Sequence, residues 1–141
     1  MAHSIQNIGD KAAIINDSDL LILVGIMLDE INDAGSSYNA LSSFSERWNK
    51  ARKLSGPGTL DLELDLVAAN PEAKLELDNL FSSVEQKLDD WGEVILAATA
   101  NEKWRVQGVT FADCPTSRVV SAISKLRELF ENEVQDCPPP A

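Results

Sequence analysis

The chain has 141 residues, with 12 Lys and Arg against 23 Asp and Glu, a formal charge of −11 and 44% hydrophobic residues. That composition fits one globular domain, able to bury roughly two-thirds of its unfolded surface without a disulfide or metal framework. The acidic excess opposes direct binding to nucleic acid and to anionic membranes, both of which are recognised through Lys and Arg.

Residues 1–16 carry scattered apolar residues without a sustained period and read as an irregular or short helical lead-in. They lack the basic start and apolar stretch of an export signal, which makes a cytoplasmic protein the expectation. Asp17 or Ser18 is the expected N-cap of a first helix running to Ala34, with Gly35 as its stop. Leu20, Leu23, Val24, Met27 and Ile31 form one stripe on it, while Ile22 and Ile26 fall nearly opposite, so the helix is apolar on two sides. Its apolar run is about half of the roughly 20 residues that a membrane span requires.

A second helix is predicted over 37–54, with Leu41, Phe44, Trp48 and Ala51 at helical steps, before Gly56-Pro57-Gly58 reverses the chain. Leu60 to Leu66 alternates leucine with acid. Alternation argues for a strand, paired with 105–111, whereas Leu and Glu favour helix. Asn70-Pro71-Glu72 is a strong helix start, and an apolar face from Leu77 to Ala98 carries the pattern to about Lys103, as one helix or as two divided at Gly92. Cys114-Pro115-Thr116-Ser117 opens a last helix with Val119, Ile123, Leu126, Phe130 and Val134 inward, and residues 135–141 read as a Pro-rich tail. The expected architecture is an all-α, single-domain bundle of four main amphipathic helices, with a minor two-stranded element as the variant.

Catalytic equipment is sparse. His3 is the one histidine, which leaves Ser-His and Cys-His chemistry and histidine-ligated metal centres without a base or ligand. No Gly-rich phosphate loop or calcium loop is present, so neither a metal nor a cofactor is expected. Cys114 and Cys137 lack metal-ligand spacing and read as free thiols. Arg47, Lys50, Arg52 and Lys53 surround Trp48, but Trp48 belongs to the inward stripe and the cations suit a helix C-terminus.

The negative charge is local. Residues 59–104 hold 11 acidic and 3 basic groups. Projected on a helix, Asp78, Glu85, Asp89 and Glu93 form one stripe and Glu72, Glu76 and Asp90 another. Like charges four apart cost a few tenths of a kcal/mol each, which points to a use beyond stability, either a partner or the solubility that surface acids confer. The expectation is a non-enzymatic protein that presents this acidic face to a basic site of a protein partner, as an inhibitor or immunity-type protein against a toxin, nuclease or defence effector, or as a chaperone. The alternative is a structural homodimer through Ile22 and Ile26.

Overall fold

The computed structural model describes residues 3–54, 58–106 and 108–135, with backbone alone at 35, 36 and 131–135. About two-thirds of the chain is helical, in six α-helices among the described residues, but two antiparallel strand pairs are also present. The four-helix, all-α expectation is therefore corrected to a mixed fold with a minor sheet component.

The largest departure is at the start. Strands β1 (His3–Ile8) and β2 (Lys11–Asn16) form a hairpin in which His3 pairs with Asn16 and Ile8 with Lys11. Gly9, at φ +59, makes its two-residue turn with Asp10. The sequence conceals this hairpin because its alternation is partly inverted. Ser4 and Gln6 point inward and are fully buried, while Ile5 and Ile14 point outward and are each 57% exposed. The buried polar groups are satisfied by residues 60–62. Gln6 donates from Nε2 to the Leu60 carbonyl (2.6 Å) and accepts from the Leu62 amide (2.9 Å), and the Ser4 hydroxyl accepts from the Leu60 amide (3.2 Å).

Residues 60–63 therefore form neither a strand nor a helix, and their partners are hairpin side chains rather than 105–111. The leucine alternation still sets their burial: Leu60, Leu62 and Leu64 lie inside and Asp61 outside. Glu63, with a left-handed φ of 55°, turns the chain into α3 (Leu64–Ala68). The indole of Trp48 donates to the Leu62 carbonyl (2.8 Å), and Arg47 pairs with Glu63, fastening this segment from the other side.

Helix α1 (Asp17–Ala34) begins one or two residues earlier than an N-cap at Asp17 or Ser18 implies. Asn16 Oδ1 accepts from the Ser18 amide, and Asp17 instead ties the Ser4 hydroxyl to the Gly58 amide. The helix is buried on nearly all sides from Asp19 to Met27. A 3-10 turn (Gly35–Tyr38) precedes α2 (Ser42–Leu54), whose start the sequence placed at 37. Helix α4 (Pro71–Trp91) opens as expected, with Asn70 Oδ1 accepting from the Ala73 amide, and it stops at Gly92, where φ is +114. The 71–103 pattern is thus two helices, because β3 (Val94–Ile95) intervenes before α5 (Ala97–Lys103). Strand β3 pairs with β4 (Cys114–Pro115), which leads into α6 (Thr116–Gln135).

One continuous core joins the hairpin, α1, α2, the 60–67 segment, α4 and α6. Ile22 and Ile26 belong to it, 1% and 4% exposed, so they are not a dimer face; the second apolar side of α1 is covered within the same chain. The Gly56-Pro57 turn, Cys137 and its relation to Cys114, and the Pro-rich tail lie outside the described residues, as does the Val134 side chain. Among the described residues no helix is long and apolar enough to cross a membrane.

Candidate binding surface

The seven acids predicted to face a partner have different surroundings. Glu76 accepts from the amides of Ala40 (3.1 Å) and Leu41 (3.0 Å), closing the approach to α2. Asp78 and Glu85 both face Arg127 of α6, at 3.6 and 3.0 Å, and Arg127 also lies over the Phe81 ring. Glu76 and Glu85 thus tie α4 to its neighbours, whereas the Asp78 side chain is 66% exposed and meets Arg127 at the longer distance. Glu72 is exposed in the first turn of α4, where the helix dipole favours an acid. Glu93 lies beyond Trp91 and so is not on the helical stripe at all.

Asp89, Asp90 and Glu93 are exposed and form no ion pair among the described residues. They are close in sequence to the exposed apolar side chains Trp91, Val94 and Leu96, which are 39%, 39% and 54% accessible. Gly92 ends the helix, and extended backbone then alternates sides, so that Ile95 enters the core while Val94 and Leu96 face out. The segment is held at both ends. The Thr116 hydroxyl and amide donate to the carbonyls of Gly92 (2.7 Å) and Glu93 (3.0 Å), and the Ala97 amide donates to Asp113 (2.6 Å). One anchored segment thus carries exposed acids and exposed apolar side chains together.

Beside this patch, a groove of about 400 Å³ lies between α1, α4 and the end of α5. Trp91 and Trp104 meet in it with ring centres 5.7 Å apart and planes tilted by 43°. Trp104 is fixed from three directions: its indole donates to Asp29 Oδ2 (2.8 Å), its carbonyl accepts from Arg52 (2.7 Å), and its ring packs on Gly25. A Cβ at Gly25 would lie 2.6 Å from Trp104 Cδ1, so glycine is required for this approach. Lys87 on α4 pairs with Glu30 (3.1 Å) and more distantly with Asp33 (3.9 Å). Neither α1 nor α4 has a basic residue in its last turn, so acids and helix dipoles reinforce one another here.

The basic cluster around Trp48 is dispersed. Arg47 is paired with Glu63, Trp48 is 1% exposed, and Arg52 is buried, donating to the carbonyls of Leu21 and Trp104. Burial lowers the Arg52 pKa, offset in part by Asp29. Cys114 is buried against Asp19, which is itself paired with Arg118 (3.1 Å); burial and then the Asp19 charge push its thiol up to about 11, away from the reactive thiolate. Among the described residues no three His, Cys, Asp or Glu side chains converge as a metal site. The sequence signal for this segment is the placement of Trp91, Val94 and Leu96 about a helix-stopping Gly92, and the helical period masks it by setting Trp91 on the core-facing stripe with Leu88. No protein-family model, curated protein or solved structure matches the chain.

Proposed function

We propose that this chain is a non-enzymatic protein-binding module whose acidic surface engages a basic site of another protein, in the manner of an inhibitor or immunity-type protein or of a client chaperone. The observation that carries this reading is the grouping of exposed Asp89, Asp90 and Glu93, which form no ion pair among the described residues, with exposed Trp91, Val94 and Leu96 in the one segment 89–96. Desolvated aromatic and aliphatic anchors supply most binding energy at protein interfaces, while surrounding charges steer encounter and select partners. The acids of the original stripes that lie toward α6 and α2 hold the fold, which concentrates the reading on residues 89–96 together with the exposed Glu72.

Pull-down from native lysate tests the reading. Wild-type protein should capture a basic partner that elutes as salt rises, and Asp89→Lys/Asp90→Lys/Glu93→Lys should lose it with an unchanged helical circular-dichroism signal. Undiminished capture by the triple variant would remove the basis for the proposal. Asp78→Lys/Glu85→Lys is the contrast, expected to lower stability by breaking the Arg127 contacts.

A further inference from the structure

We infer that the groove beside this patch receives an arginine side chain of the partner, stacked on Trp91; the inference rests on the acidic-surface reading and specifies the residue that reading leaves open. Trp91 is 39% exposed and lines the groove, whereas Trp48 and Trp104 are buried, at 1% and 4%. A half-exposed indole is the best aromatic partner for a cation, and guanidinium stacks on it more readily than ammonium does because it is planar and more weakly hydrated.

The side-chain charges of the groove are near balance, and the C-terminal ends of α1 and α4, neither with a basic residue in its last turn, tip the field toward a cation. Asp29 and Asp33 line the groove with Lys87 and Lys103, and Glu30 stands behind Lys87. Lys87 lies nearer to Glu30 (3.1 Å) than to Asp33 (3.9 Å), and Asp33 is 76% exposed at its side chain. Asp33 is therefore the carboxylate best placed to take a guanidinium fork, with Asp90 on the flank of α4 adding to the field. Trp104 cannot move aside to fill the space, because Asp29, Arg52 and Gly25 hold it.

The test uses the full chain, with tetra-arginine and tetralysine peptides of equal charge as probes, read by the indole N–H resonances in NMR. Trp91→Phe assigns the Trp91 signal. Tetra-arginine should shift that signal saturably and bind about threefold or more tightly than tetralysine. Asp33→Asn and Trp91→Leu should remove that preference, with the Trp48 indole signal, remote from the groove and bonded to the Leu62 carbonyl, unmoved as evidence of an intact fold. Equal binding of the two peptides, or an arginine preference that survives Trp91→Leu, overturns the assignment. The two readings fail separately: if both peptides bind equally and the Asp89→Lys/Asp90→Lys/Glu93→Lys variant loses both, the acidic surface stands and the arginine site falls.

Discussion

Gln6 offers the sharpest test of how this chain is held together. Its side chain is fully buried and replaces a strand: one amide group serves both the Leu60 carbonyl at 2.6 Å and the Leu62 amide at 2.9 Å. Gln6→Leu preserves approximate volume and removes both bonds, leaving two buried backbone groups unpaired at about 1–3 kcal/mol each. Burying leucine in place of an amide returns a part of that, so a net loss of about 3 kcal/mol is expected. For a domain of this length, that corresponds to a fall of about 10 °C in melting temperature. Urea unfolding followed by circular dichroism gives the free energy, and hydrogen exchange at Leu62 localises it. The Leu62 amide should lose protection in the variant beyond what the global change explains. A loss below about 1 kcal/mol, or unchanged Leu62 exchange, would show that the segment does not depend on the hairpin side chains.

Three further outcomes follow from the packing. Gly25→Ala places a methyl group against Trp104 where Asp29 and Arg52 prevent retreat, and should cost about 1–3 kcal/mol with a red-shifted tryptophan emission; a neutral effect would mean that Trp104 is free to shift. Arg52→Lys should lose about 2 kcal/mol in chemical denaturation, because a single ammonium cannot reproduce the paired reach to Leu21 and Trp104, and full stability in that variant would contradict the two-carbonyl role. Cys114 has a folded pKa of about 11 against an ordinary 9.0, so the stability contributed by its neutral thiol is fully present below about pH 9 and is lost as pH rises towards 11. Wild type should therefore weaken relative to Cys114→Ala across that window, and parallel stability curves would contradict the burial argument.

Local chemistry alone determined much of this molecule. Asn70 and Pro71 start α4 where capping and proline geometry require, Gly35 follows the last residue of α1, and the helical stripes containing Trp48, Leu77, Leu88 and Ile123 face the core as their periods dictate. Even the leucine alternation at 60–64 yields the right buried residues, because alternation follows from extended backbone whether or not a strand ladder forms. Tertiary structure decided the rest. A polar pair such as Ser4 and Gln6 can face inward only if a distant segment supplies donors and acceptors, and nothing local to residues 3–16 announces that residues 60–62 will do so. The same holds for charge. The sequence placed acids in stripes on α4, but which of them remain available depended on where Arg127 and the amides of Ala40 and Leu41 came to lie. Helical periodicity specifies direction from an axis, whereas the partner met in that direction belongs to the packing of elements far apart in the chain.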